Sequence, residues 1–217
     1  TPATPATPAI PASPALDARA AQWQQVLTDA ATMATGNVGS MVAAVGVARS
    51  AALESKIATN YTKTLISGIT GLNTAATNAI TNFIAYGTKS ALSLGAGERA
   101  GVVSSYKKAF GKLPTTESQW KDALAIAGGR WPGETSATAE SQAKTEFKKV
   151  YKKDADMKNA NDNAAVTVMA YGLRPSDRNL NSEKAGIKIF KAIYGHNPVS
   201  ALAWDIVRAI AYSGAKR

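Results

Sequence analysis

Residues 190–211 read FKAIYGHNPVSALAWDIVRAIA, and residues 106–127 read YKKAFGKLPTTESQWKDALAIA. At a constant offset of 84, Lys107/Lys191, Gly111/Gly195, Pro114/Pro198, Trp120/Trp204, Ala125/Ala209, Ile126/Ile210 and Ala127/Ala211 coincide, and Phe110 stands opposite Tyr194. A middle copy starts at Phe147. At an offset of 43 and without a gap, residues 127–155 align on 170–198, which keeps Gly129/Gly172, Pro132/Pro175, Glu140/Glu183, Phe147/Phe190, Lys148/Lys191 and Tyr151/Tyr194. A recurrence of about 41–43 residues is the length of a two-helix repeat. The expected copies cover about 100–132, 138–175 and 181–217.

Each copy reads as two helices. The first closes on an aromatic residue followed by a cap, Phe110-Gly111, Tyr151-Lys152 and Tyr194-Gly195. Glycine there suits the left-handed turn that ends a helix, and Pro114 and Pro198 lie just beyond, where a helix cannot continue. The second helix carries Trp120 or Trp204 near its start, whereas the middle copy has Asn161, Asp162 or Asn163 there. Phe110, Trp120, Phe147, Tyr151, Phe190, Tyr194 and Trp204 recur with the repeat. They are expected to anchor its core, each locking one helix pair onto the next. Trp131 falls outside this set. It sits in the turn Gly129-Arg130-Trp131-Pro132, whose counterpart is Gly172-Leu173-Arg174-Pro175. An aromatic beside an arginine in a turn makes Arg130 and Trp131 candidate partner contacts.

Upstream the composition changes. Residues 1–15 place Pro2, Pro5, Pro8, Pro11 and Pro14 at every third position. That spacing fixes φ and removes donors, so an extended polyproline arm is expected, a stiff spacer or a strap on a neighbouring subunit. The five prolines are candidate partner contacts on the second reading. Leu16-Asp17 opens a helix through Met33, and the Gly36–Gly39 stretch ends it. A long helical run is expected over about 39–94, with Leu53, Ile57, Tyr61, Leu65, Ile69, Leu72, Ala76, Ile80 and Phe83 as its apolar stripe. The opposite face is Thr, Asn and Ser without charge, which suits a helix covered by close neighbours, in another subunit or in an internal hairpin. Gly95–Gly97 breaks the pattern. The expected organisation is therefore an arm (1–15), a long-helix assembly domain (16–97) and a helical repeat domain (98–217), all-α throughout.

Composition narrows the chemistry. There is no cysteine and one histidine, His196, in a turn. Neither a Cys–His dyad nor a histidine-rich metal site can be built from that. The net charge is +10, and residues 101–217 hold 19 Lys/Arg against 11 Asp/Glu. A basic face attracts anionic cell-envelope polymers, nucleic acid or acidic lipid headgroups, but the basic residues are dispersed with acids between them, so a solvated face is the preferred reading. Two loops, Asp154–Asp162 and Asp177–Glu183, are rich in oxygen ligands. Calcium needs six to eight oxygens, and Lys158 and Arg178 interrupt the two loops, so turns and N-caps are the preferred roles. Glu140-Ser141 is similar to the Glu-Ser pair of lytic transglycosylases, but a supporting Gly-Leu-Met-Gln-type segment is absent. Glu140 also recurs as Glu183, and the helix dipole accounts for an acid at that place. No catalytic, cofactor or metal residues are assigned. No apolar run is long enough for a membrane span.

The pattern Phe-x-x-x-(Phe/Tyr)-Gly-x-x-Pro, followed by Trp and Ile-Ala-Tyr-Ser-Gly, resembles repeats of bacterial cell-surface proteins of the S-layer kind over about residues 106–217. The uncharged N-terminal helices are similar in composition to those of flagellin-like self-assembling proteins. The resemblance implies export, with Thr1 read as a processed start, and assembly with other copies of the chain into a layer, filament or tube. A monomeric module binding cell-wall glycan or nucleic acid through the basic face is the alternative, and a glycan-cleaving enzyme ranks third.

Overall fold

Every regular element among the described residues is helical. The computed structural model describes residues 14–217, with side chains from residue 21 onward, and Pro2, Pro5, Pro8 and Pro11 lie outside the described residues. Helix α1 (Pro14–Ala34) begins two residues earlier than expected. Pro14 and Ala15 therefore belong to α1 and not to the extended arm. Proline fits the first turn of a helix, where its missing N–H would have had no partner.

The expected run over 39–94 is broken. It divides into α2 (Val38–Val45), α3 (Ala51–Ile57), a π-helical turn (Ala58–Thr62), α4 (Lys63–Ile66), α5 (Thr74–Tyr86) and a 3-10 turn (Lys89–Ala91). The breaks fall where Gly46, Gly68 and Gly71 take φ of 77°, 75° and 78°, a region that glycine enters without a Cβ penalty. Helices α3 and α5 then pack on each other as an internal hairpin. Thr62 and Thr81, from the uncharged face, are buried and share a hydrogen bond of 3.1 Å.

Three helix pairs follow: α6 (Ala96–Phe110) with α7 (Glu117–Ala127), α8 (Ala137–Tyr151) with α9 (Ala160–Tyr171), and α10 (Leu180–Tyr194) with α11 (Ala201–Tyr212). The three first helices have 15 residues each and end on left-handed caps, Gly111, Lys152 and Gly195. Side chains of Thr116, Ser136, Asn159, Asn179 and Ser200 cap the next helices by accepting from free N–H groups of the first turn. Helix α6 lies at the centre, against α4, α5, α7, α8, α9 and α11. One apolar core runs from Val26 to Ala209 and continues across Gly95–Gly97.

Trp120 is fully buried, edge-on to Phe83 at 5.5 Å. Phe147, Tyr151 and Phe190 are buried as well, and Phe110 and Tyr194 pack half-buried against the core. Trp204 departs from the expectation: it is 40% exposed. The cause is its neighbours. Helix α7 packs between α1 and α6, whereas α11 packs on α6, α9 and α10, which leave the Trp204 side of the helix open.

One contact recurs that the sequence alignment did not isolate. Helices α5, α9 and α11 each end on a tyrosine, Tyr86, Tyr171 and Tyr212. Each hydroxyl accepts from the N–H of a helix N-cap, at Ser50 (2.7 Å), Ser136 (3.0 Å) and Asn179 (3.0 Å). Each donates to the glutamate four residues beyond that cap, at Glu54 (3.0 Å), Glu140 (2.6 Å) and Glu183 (2.9 Å). Arg49 and Arg178 hold the first and third glutamates at 2.8 Å. Helix α7 ends on Ala127 instead.

The clasp sets an alkaline limit. Burial, and then the bond to Glu140, push the Tyr171 phenol up from its ordinary 10 to about 12. A folded-state value above the unfolded one gives stability that is whole below pH 10 and falls away as pH rises toward 12. Burial lowers Arg174 in the same range and acts with the opposite sign, but it is common to the wild type and a Tyr171→Phe variant. Thermal melts by circular dichroism over this range are expected to show a steeper fall for wild type than for Tyr171→Phe. Parallel curves would show that the phenol does not carry the effect.

Candidate functional site

The turn Gly129–Pro132 follows α7, and its counterpart Gly172–Pro175 follows α9. The fold brings both to one cleft of about 330 Å³. Its lining includes Gly129, Trp131, Leu173, Arg174, Arg208 and Tyr212. The two turns are joined at one atom: the Ile126 carbonyl accepts from Gly129 N–H at 3.1 Å and from Arg174 N–H at 3.0 Å. Glycine is required at both turns. Gly129 and Gly172 have φ of 70° and 73°, and a Cβ on either would stand 2.5 Å from the Arg174 carbonyl or 2.4 Å from Ser105 Oγ.

Trp131 is 50% exposed but stands on a fixed loop. Buried Asp122 accepts from the N–H groups of Gly133 at 2.7 Å and Glu134 at 3.1 Å. Tyr171 backs the indole at a ring separation of 6.4 Å and is itself held between Ser136 and Glu140. Arg130 turns the other way. Its guanidinium lies 5.6 Å from the Trp23 ring centre and donates to Gln22 Oε1 at 3.1 Å. Of the two expected contacts in this turn, Trp131 therefore faces the cleft and Arg130 is occupied by α1.

Behind the cleft lies a buried charge network. Asp205 on α11, with no exposed side-chain surface, meets Lys108 Nζ at 2.8 Å, Arg208 Nη1 at 3.1 Å and Arg174 Nη1 at 3.8 Å. It also accepts from Ser105 Oγ at 3.0 Å. Glu98 on α6 lies 3.0 Å from Arg208 and 2.9 Å from Arg174 Nε. The latter is a charge contact without hydrogen-bond alignment, which leaves the buried Nε unsatisfied. Arg174 also donates to the Gly172 carbonyl through Nη1. Burial, reinforced by the neighbouring Arg208, brings the Arg174 guanidinium down to about 10 despite both carboxylates. Gly101 makes room for it, since a Cβ there would stand 2.5 Å from Arg174 Nη2.

Sequence reading picked out the Arg174 turn only as a counterpart of Trp131, and it missed Arg208, Asp205 and Glu98. These residues come together across 76 and 110 positions of chain, and no local spacing marks them. The other candidates have local roles. In the first oxygen-rich loop, Asp154 pairs with Lys148, Asp156 turns the chain at Lys158, and Asn159 caps α9. Asp162 is buried against Lys153. In the second loop, Asn179 caps α10 and Glu183 holds Arg178 and Tyr212. Among the described residues no group of three or more His, Asp or Glu is placed to hold a metal ion. Glu140 is engaged by the Tyr171 hydroxyl. His196 lies edge-on to Phe190 at 5.6 Å in its turn. No helix among the described residues is long and apolar enough to cross a membrane.

Compared with protein-family models, characterised proteins and solved structures, the chain matches none.

Proposed function

We propose that the chain is a structural protein that associates with copies of itself at the cell surface, as a layer, filament or tube, through apolar side chains exposed on the α10–α11 pair. The repeat register extends into the N-terminal half. Glu54-Tyr61-Leu65, Arg99-Tyr106-Phe110, Glu140-Phe147-Tyr151 and Glu183-Phe190-Tyr194 share one spacing, and three of the four units carry the tyrosine clasp. Units of this kind bury their apolar faces on the next unit, so an array needs a polar cap at each end.

The observation that carries the reading is the last pair. Helix α10 buries only Gly186 and Phe190. Leu180, Ile189, Val199 and Trp204 stand exposed between residues 180 and 204, while Val47, Leu92 and Trp131 are scattered over the rest of the described chain. Large apolar side chains exposed among the lysines of one helix pair are suited to contact with another copy of the chain. A head-to-tail contact of that kind propagates without closing.

The test is sedimentation and electron microscopy of the full chain at low and high salt, beside an Ile189→Glu/Trp204→Glu double variant. Wild type should form large regular assemblies, and the variant should stay monomeric with an unchanged helical spectrum. A wild type that is monomeric at every concentration would sink the reading. The Trp131 cleft favours a second reading, a module that binds acidic envelope glycan; it too requires no catalytic residue.

A further inference from the structure

We infer that the cleft between Trp131 and Arg208 binds one acidic sugar residue, with its carboxylate on Arg208 and a C–H face of its ring on the Trp131 indole. The inference rests on the second reading above and names its ligand. Charge is the first argument. The network behind the cleft holds three cations, Lys108, Arg174 and Arg208, against two carboxylates, Glu98 and Asp205. One positive charge is left over in a poorly solvated place, where a single anion is worth more than at an open surface. A phosphate dianion would bring more charge than the site has to offer and would face Glu98 and Asp205 behind the arginines.

Donor geometry is the second argument. Arg208 lines the cleft with its side chain 10% exposed. Its bonds to Asp205 and Glu98 run through Nη1 and Nη2. Those carboxylates fix the guanidinium plane, and a guanidinium has five N–H donors to share among acceptors. Arg174 lies beneath with no exposed side-chain surface, so Arg208 is the arginine a ligand can reach.

Shape is the third. A large aromatic held half in solvent by buried Asp122 and by Tyr171 is preorganised for contact. The negative face of an indole attracts the weakly positive C–H groups of a sugar ring. Tyr212, Thr167 and Ser176 complete the cleft wall. A cleft of about 330 Å³ lies at the small end of ligand cavities, which suits one ring of a glycan chain.

The test is titration of the full chain with galacturonic acid by calorimetry, with glucose and inorganic phosphate as comparators. Saturable binding of galacturonate is expected, with glucose and phosphate each weaker by about tenfold or more. Trp131→Ala, on an exposed turn, should weaken binding by about tenfold, and Arg208→Gln by at least as much. Should Arg208→Gln fail to fold, Trp131→Ala decides. Absent saturation, equal affinity for glucose or phosphate, or an unchanged affinity in Trp131→Ala overturns the assignment. Retention on a polygalacturonate gel separates the two readings. A Trp131→Ala chain retained like wild type keeps the glycan-binding reading and removes the cleft from it, and a wild type that is not retained removes both.

Discussion

Asp205→Ala is expected to cost about 3–5 kcal/mol, because it removes the shared carboxylate of three cations, one of which, Arg174, has no exposed side-chain surface. In a chain of this size that is a fall of roughly 6–20 °C in melting temperature. Asp205 is 0% exposed and is the meeting point of Lys108, Arg174 and Arg208. Without it, Glu98 alone faces the two arginines, and Ser105 Oγ loses its acceptor. The loss is felt across the molecule because the network ties α6, the turn after α9 and α11 together. Asp205→Asn keeps the shape and part of the hydrogen bonding, so it should fall between wild type and alanine. Calorimetric melting of the three proteins checks the order. An Asp205→Ala protein that melts with wild type would show that the cations relax to solvent and that the network does not hold the pairs together.

The second large effect is a contrast between two tryptophans that occupy one register. Trp120→Ala is expected to cost about 3–5 kcal/mol, the range for emptying a buried tryptophan site. Trp120 is fully enclosed and stacks edge-on against Phe83 at 5.5 Å. Its indole N–H has no hydrogen-bond partner among the described residues, so Trp120→Phe should recover a good part of the loss by keeping ring volume without an unpaired donor. Trp204→Ala should change the stability of the single chain by no more than about 1 kcal/mol, as for an ordinary surface site. Its effect should appear in self-association. Chemical denaturation of the monomer and sedimentation of the assembled protein separate the two results. Equal destabilisation by the two substitutions would contradict the burial difference.

Part of this was legible in the chain. The offsets of 84 and 43 residues identified helices that end on Phe110, Tyr151 and Tyr194, and the Pro and Gly signals placed their ends to within a few residues. The helix-ending tyrosines of the clasp also leave a trace upstream. Ala-Tyr-Gly stands at 85–87 and at 170–172, and Ala-Tyr at 211–212. The apolar stripe of 39–94 hid the break between α4 and α5, because Ile69 and Leu72 keep helical spacing and pack against the core from a loop. Gly68 and Gly71 make that break, because two left-handed residues so close together end a helix.

The sequence by itself determined the all-helical class, where the helices of the three C-terminal pairs end, and the turn in which Trp131 stands. These depend on local physics: spacing of apolar side chains, caps, and residues that cannot continue a helix. Only the tertiary structure decided which of two equivalent tryptophans is buried, because that depends on which face of each helix its neighbours cover: α1 lies on α7, while α6, α9 and α10 leave the Trp204 side of α11 open. It alone decided that Glu98, Arg174, Asp205 and Arg208 meet behind one cleft. Their pairing is electrostatic and long-range in sequence, and a charge on a helix face carries no mark of the partner that packing will bring to it.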